Sequence, residues 1–262
     1  MTLQEQDLND LKKAKALLEN PSLAAKITNF LGSPIEKGFS LLPENWNLKI
    51  GELTRTALSK AVKAAVLTMK DSPREEASNI WHKFAVATTG GIGGLFGLPA
   101  LAIELPISTT IMLRSIADIA RSEDENIHNI ESKIACIEVF ALGGPSIKDD
   151  ASESGYFAVR AALAQSISKA SEYITNRGLS EKGAPALVRL ILQIAERFSI
   201  QVSEKAAAQA VPAIGAAGGA IINTLFIAHF QDMARGHFIV RRLERKYGKE
   251  IVEETYKSVY IG

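Results

Sequence analysis

Two long apolar stretches limit what this chain can fold into more than any other feature. No formal charge interrupts residues 84–103, and a second uncharged stretch covers residues 206–231. Each passes from small residues into larger apolar ones and ends in a short charged tag, Asp118 to Arg121 in the first and Asp232 to Arg235 in the second. Such stretches are typical either of a buried helical core or of segments that enter a bilayer.

The glycine content favours burial in a protein core over spanning a bilayer. Each glycine costs about 1 kcal/mol relative to alanine inside a helix, so a glycine-rich helix is stable only when another segment packs closely against it. The residues predicted to allow such close helix packing are Gly90, Gly93, Gly94, Gly97, Gly215, Gly218 and Gly219. Three interpretations stay open: the stretches pack together as core, they form a membrane hairpin, or a soluble protein exposes them to dock on a membrane.

Helical periodicity and helix stops recur along the chain, whereas alternating strand patterns are scarce. We therefore predict an all-α fold, a single multi-helix domain of about ten helices around the two Gly/Ala-rich apolar helices. Residues 1–45 are predicted to form an N-terminal helical extension and residues 46–262 the main helical domain. The short polar segment 146–154 is the alternative boundary.

The helix predicted over residues 47–69 is amphipathic and basic. Lys49, Arg55, Lys60 and Lys63 lie off its apolar face. Packing of the apolar face against the core is the ordinary role of such a helix, and resting on a lipid surface is the alternative.

Composition excludes several classes of function. The formal net charge is +1, so no global charge indicates nucleic acid as a partner. Cys136 is the only cysteine and lies in an apolar run, which predicts a buried, inert thiol and a reducing compartment. The N-terminus lacks the apolar core of a secretory signal. No cofactor motif occurs, and we expect no cofactor.

Basic residues gather after the second apolar stretch. Beside apolar surface they predict a contact with an anionic membrane or a membrane partner, and an ordinary solvated helix face is the alternative. The residues of this C-terminal basic run are Arg241, Arg242, Arg245, Lys246 and Lys249.

Charged and amide side chains within the two apolar stretches are the candidates for chemistry. We expect them to form one buried network that fixes helix register, with Glu104, Asp118 and Asp232 the only candidates for catalysis. His229, Asp232 and His237 do not share one helical stripe, so no metal site is predicted. The expected network comprises Glu104, Arg114, Asp118, Arg121, Asn223, Asp232 and Arg235.

Both stretches resemble the signatures of one bacterial family. GGIGGLFGLPALAIELPISTTIMLRSIADIA is similar to the first signature of the EcsC family, and VPAIGAAGGAIINTLFIAHFQDMARGHFIVRRL resembles the second. The resemblance covers about Asn47 to Tyr247 and leaves the first 45 residues unmatched. Glu104 stands where the family has an aspartate before Leu-Pro, so a carboxylate is kept with a longer reach.

The resemblance implies a location more than a reaction. The founding member of the family is encoded beside two components of an ABC transporter linked to protein secretion, and the family has no assigned activity or catalytic residues. We therefore expect a membrane-associated, non-enzymatic bacterial protein in the cytoplasm, at the inner face of the cytoplasmic membrane. It would bind an anionic membrane surface or a membrane partner such as a transporter. The alternatives are a hydrolase that uses the buried carboxylates and a membrane-inserting toxin or effector-like protein.

Overall fold

Helices make up almost all of the regular structure. The computed structural model describes residues 3–19, 22–32, 35–68, 98–144, 155–177, 185–211 and 215–260. No strand occurs in these ranges, so the prediction of an all-α fold is confirmed. The helices are α1 (Glu5–Glu19), α2 (Leu23–Leu31), α3 (Glu36–Phe39), α4 (Trp46–Thr68), α5 (Leu98–Ser122), α6 (Ile130–Glu138), α7 (Gly155–Arg177), α8 (Pro185–Ala210), α9 (Gly215–Tyr247) and α10 (Lys249–Ser258), with a 3₁₀ turn at Val139–Ala141.

The long helix α9 lies at the centre of the fold. It packs against α1, α2, α5, α8 and α10, while α4 packs against α5 and α8. Four phenylalanine rings from the 3₁₀ turn, α8 and α9 fill the middle of the core, with neighbouring centroids 4.9–6.0 Å apart: Phe140, Phe198, Phe226 and Phe230. The buried apolar residues form one continuous cluster from Leu11 in α1 to Tyr256 in α10.

The described parts of the two apolar stretches pack against each other. α5 contacts α9, and the Gln231 amide donates a hydrogen bond to Ser115 Oγ at 2.8 Å. The described parts therefore pack together as in the core interpretation, while Ile103, Ile107 and Ile221 on the same helices are 55%, 47% and 42% exposed. None of the helices in the described ranges combines the length and the apolar character needed to cross a membrane.

Two glycines that the sequence analysis did not single out allow the closest helix contacts. A Cβ on Gly236 of α9 would lie 2.6 Å from Leu18 Cγ of α1, and a Cβ on Gly38 of α3 would overlap the carbonyl of Ala207 in α8. Because glycine has no side chain, α3 packs closely on α8 at Gly38 and α1 packs closely on α9 at Gly236. The predicted boundary between residues 45 and 46 coincides with the start of α4 and stays a prediction.

The glycines that the sequence predicts to allow close helix packing lie only partly within the described residues. Gly90, Gly93, Gly94 and Gly97 lie outside the described residues, as does the alternative boundary at 146–154. In the second stretch Gly215 begins α9 and Gly218 is buried. No described atom lies within 4 Å of a Cβ built on Gly219, so that glycine makes no close helix contact with the described part of the chain.

Candidate functional site

Glu104 is held by a partner that the sequence analysis missed. Its Oε1 accepts a hydrogen bond from Lys205 Nζ at 2.5 Å, and the lysine side chain is only 1% exposed. The ammonium also lies 4.7 Å from the centre of the Phe226 ring. An ion pair with a cation–π contact satisfies a buried charge, so Glu104 has a structural role in joining α5 to α8.

The other members of the expected network form separate local contacts. Asp118 and Arg121 pair with each other on the surface of α5, and about half of each side chain is exposed. Asp232 accepts from Arg235 at 3.1 Å and from Lys26 of α2 at 3.2 Å. These pairs have no link to Glu104 in the described structure.

The two remaining network candidates lie apart from those ion pairs. Asn223 accepts a hydrogen bond from Gln209 at 3.3 Å. Arg114 makes no hydrogen bond or ion pair with another described residue. The expected single network is therefore not formed among the described residues: Lys26–Asp232 and Lys205–Glu104 each join two helices, whereas Asp118–Arg121 lies within one.

The C-terminal basic run is largely occupied by carboxylates of the same chain. Arg242 contacts Asp10 at 2.7 Å and Glu123 at 2.8 Å, and Lys246 contacts Asp7 at 2.7 Å. Hydrogen bonds from Lys246 and then Tyr247 hold the pKa of Asp7 below its usual value. Ion pairs of the C-terminal basic run therefore hold α1 and the turn after α5 against α9.

Glu125 receives two guanidinium groups of the same run. Arg241 Nε donates at 2.7 Å and Arg245 also pairs with this carboxylate. Burial acts to raise the pKa of Glu125, but the hydrogen bonds from Arg241 and Ser132 outweigh it and the pKa is lowered. Of the five basic residues, only Lys249 has no ion pair with a described carboxylate.

A second basic surface lies between α4 and α8, and we call it the α4/α8 groove. It encloses about 350 Å³, and Val188 and Leu192 on its α8 side are 50% and 40% exposed. None of the residues described at its lining is acidic. The lining residues are Arg55, Thr56, Ser59, Lys60, Lys63, Val188, Ile191 and Leu192.

The exposed face of α4 extends this surface toward the start of the helix. Leu48 is 75% exposed, and Lys49 beside it is exposed as well. Glu52 is the one acidic residue between residues 46 and 68. The face combines exposed apolar side chains with a clear excess of positive charge.

A larger cavity lies where α6 and α7 meet α9 and α10, and we call it the α6/α7 groove. It has a volume of about 660 Å³. Five glutamates and three basic residues line it, beside apolar side chains of α7. The charged lining residues are Glu131, Glu138, Glu172, Glu244, Glu253, Arg160, Arg241 and Lys249.

Three buried polar side chains lie in line at the inner side of this groove. Tyr156 Oη is 3.0 Å from His237 Nδ1, and His237 Nε2 is 3.8 Å from Glu138 Oε2. Burial raises the pKa of Glu138 and lowers that of His237 well below its usual value. Glu138 makes no hydrogen bond with a described residue, and its contact with His237 Nε2 is too long for one.

Glu138 has a signal in the sequence that could have marked it as a functional candidate. Glu138 is the only charged residue between Lys133 and Lys148, within the apolar segment IACIEVFALGGP. A carboxylate in such a segment must be paired, solvated or protonated. The sequence raises His237 only as a candidate metal ligand. Among the described residues, no group of three or more His, Cys, Asp or Glu side chains is arranged to hold a metal ion.

Neither His229 nor Cys136 offers an accessible reactive group. His229 is fully buried against Gly143, and burial lowers its pKa to about 4. Burial also raises the pKa of the Cys136 thiol to about 12. The expectation that Cys136 is buried is confirmed.

Comparison with models of known protein families shows which family the chain belongs to. The model of the EcsC protein family matches residues 5–243. The chain belongs to the EcsC protein family. No curated protein and no solved structure matches it.

The EcsC match reaches further than the resemblance in the two apolar stretches. It begins at the start of α1 and so includes the three N-terminal helices, which the motifs alone left unmatched. Both grooves are lined almost entirely by residues within the match, apart from Glu244, Lys249 and Glu253. Both surfaces therefore belong to the EcsC part of the chain.

Proposed function

We propose that this EcsC protein associates with an anionic lipid surface through the α4/α8 groove and the exposed face of α4. The carrying observation is the lining of the groove, in which Arg55, Lys60 and Lys63 stand beside exposed Val188 and Leu192 with no carboxylate among the lining residues. In a bacterial cell the surface bound would be the inner face of the cytoplasmic membrane.

Both parts of the surface contribute to binding. A Lys or Arg side chain near an anionic leaflet is worth about 1 kcal/mol, and exposed apolar side chains add the free energy of leaving water. Three basic residues therefore supply about 3 kcal/mol before any apolar contact. Such binding is peripheral and weakens as salt screens the charges.

The C-terminal basic run is a poorer candidate for the same role. Four of its five residues already pair with carboxylates of the chain. Using them on a membrane would leave Asp7 and Glu125 unpaired, and both carboxylates are buried. The proposal therefore moves the membrane contact from the end of α9 to α4 and α8.

Sedimentation with vesicles tests the proposal. We expect the protein to bind vesicles that contain phosphatidylglycerol and to bind pure phosphatidylcholine vesicles much more weakly. The triple variant Arg55→Gln, Lys60→Gln, Lys63→Gln should lose about fivefold in affinity per charge removed. The matched control is Lys12→Gln, Lys13→Gln, Lys37→Gln, which removes three exposed charges from α1 and α3 and should leave binding unchanged.

Two outcomes would contradict lipid binding by this surface. The first is equal binding by the groove variant and the control variant. The second is absence of binding to anionic vesicles together with binding to native membranes, which would indicate a membrane protein as the partner.

A further inference from the structure

The lining of the α6/α7 groove contains more acidic than basic side chains: five glutamates against two arginines and one lysine. Arg160 donates two hydrogen bonds to Glu244, at 2.6 and 2.9 Å, and stacks over the rings of Tyr156 and Phe157. Arg241 donates to Glu125 at 2.7 Å and lies 3.9 Å from a carboxylate oxygen of Glu131. These guanidinium groups already have carboxylate partners, so they are not available to bind an anion.

Glu138 is a buried acid of the groove that makes no hydrogen bond with a described residue. Its side chain is only 6% exposed, it lines the groove, and its nearest polar neighbour is His237 Nε2 at 3.8 Å. His237 Nε2 has no hydrogen-bond partner either among the described residues. A buried carboxyl group without a hydrogen-bond partner costs free energy that a bound cation would recover.

The wall beside Glu138 is apolar. Phe157, Ala161, Ala164 and Ile167 of α7 line it, and Ala161 and Ala164 are exposed to the groove. An inorganic cation would need several oxygen ligands at once, and no cluster of that kind occurs in the described residues. An ammonium group on an aliphatic chain matches one carboxylate next to an apolar wall.

We infer that the α6/α7 groove binds a linear aliphatic amine, a diamine or polyamine, with one ammonium group paired to Glu138. The aliphatic carbons lie along the α7 wall, and a second ammonium group reaches the exposed carboxylate of Glu172 at the rim. Size is no obstacle, because about 660 Å³ accommodates a small polyamine.

Binding of the amine is coupled to protonation of Glu138. Burial raises the pKa of this carboxyl group in the free protein, and the facing charges are Arg160, Arg241, Lys249 and Glu244. The ammonium group favours the carboxylate, so binding releases a proton from molecules in which Glu138 is protonated. Affinity therefore rises as the pH rises through the pKa of Glu138 in the free protein.

Titration calorimetry with putrescine and spermidine tests the inference on the full chain. We expect both amines to bind between about pH 5 and about pH 8, more tightly at the higher pH, with proton release seen as a dependence of the heat on the buffer. Butanediol, which has the aliphatic chain without the charges, should not bind.

Three variants separate the groove from general electrostatics. Glu138→Gln keeps the shape and removes the charge, so amine affinity should fall by about tenfold or more. Ala164→Leu fills the groove and should weaken binding to a similar extent, with all charges kept. Glu52→Gln on α4 removes one exposed charge elsewhere and should leave affinity within about twofold.

The inference is overturned if neither amine produces a binding heat at millimolar concentration, if butanediol binds as well as putrescine, or if Glu138→Gln binds putrescine as tightly as the unchanged protein. Circular dichroism of each variant shows that the helical fold is kept. Vesicle binding through α4 and α8 uses different residues, so its outcome is independent of this one.

Discussion

Lys205 shows how much a single buried charge can matter in this fold. Its side chain is 1% exposed, and one carboxylate and one aromatic ring satisfy its ammonium group. Glu104 can be recognised in sequence as a charge within an apolar stretch, but its pairing with Lys205 cannot, because the two lie 101 residues apart and on different helices. By contrast, Asp118–Arg121 and Asp232–Arg235 are three residues apart on a helix, a spacing that sequence alone brings together.

Removing the carboxylate of Glu104 should therefore destabilise the protein strongly. In Glu104→Gln the ammonium of Lys205 stays buried without a counter-ion, which costs about 3 kcal/mol or more in free energy of unfolding. The double variant Glu104→Gln, Lys205→Met should recover most of this loss. Urea unfolding followed by circular dichroism measures both.

The matched control for that experiment is Asp118→Asn, which breaks the exposed pair with Arg121. Exposed pairs contribute about 0–1 kcal/mol, so this change should be small. Equal losses for Glu104→Gln and Asp118→Asn would contradict a structural role for the Glu104–Lys205 pair.

Glu204 gives the protein a pH dependence of the less usual sign. Burial raises the pKa of Glu204 from its usual value of 4.5 to about 7. The folded state therefore binds more protons than the unfolded state between those two values, and this group's contribution to stability falls as pH rises through that window. Above about pH 7 the penalty reaches about 3 kcal/mol.

Glu204→Gln should remove this penalty. We expect the variant to be more stable than the unchanged protein at about pH 8 and to differ little at about pH 4.5, below the window. Thermal unfolding across this range measures the difference. A constant difference between the two proteins at every pH would contradict the assignment.

At the level of elements, helix positions were more predictable than helix lengths. The break at Gly32, where φ is +61°, and the helix starts near Trp46 and Pro185 follow from turn and capping chemistry. A glycine often ends a helix, but α9 continues through Gly236 and is 33 residues long in all. The glycine is there because Leu18 of α1 occupies the place of a side chain, a contact that only the tertiary structure reveals.

Gly236→Ala should loosen the contact between α1 and α9. The added Cβ would lie 2.6 Å from Leu18 Cγ and 3.0 Å from the carbonyl oxygen of Ala14, so the free energy of unfolding should fall by about 1–3 kcal/mol. Hydrogen exchange of the α1 amides should increase with it.

Gly51→Ala is the matched control, because Gly51 lies inside α4 and no described atom would contact its Cβ. There the better helix propensity of alanine should stabilise the protein by about 0.5–1 kcal/mol. If both alanine variants gain stability, the contact between Gly236 and Leu18 is looser than the distances indicate.

For the whole molecule, the fold class could be predicted, whereas the pairing of the two apolar stretches was one of three interpretations that the sequence left open and the grooves could not be foreseen as such. Periodicity reveals helices, and shared composition suggested that α5 and α9 meet. Charge in sequence pointed to the C-terminal run as an open basic surface, whereas in the fold Arg242 reaches Asp10, 232 residues away. The basic, amphipathic pattern of residues 47–69 indicates the α4 side of the α4/α8 groove. The α8 side of that groove and the whole α6/α7 groove need several helices to exist, so no local pattern marks them.

The contact between Gly236 and Leu18 also restricts which substitutions the two positions can accept during evolution. The two positions share one volume, so neither can change in size freely while α1 keeps its place on α9. Among EcsC proteins we expect them to covary: where alanine or serine replaces the glycine, the residue aligned with Leu18 should be smaller. Covariation of these two positions, more than two hundred residues apart in sequence, would then show that EcsC proteins keep α1 packed on α9.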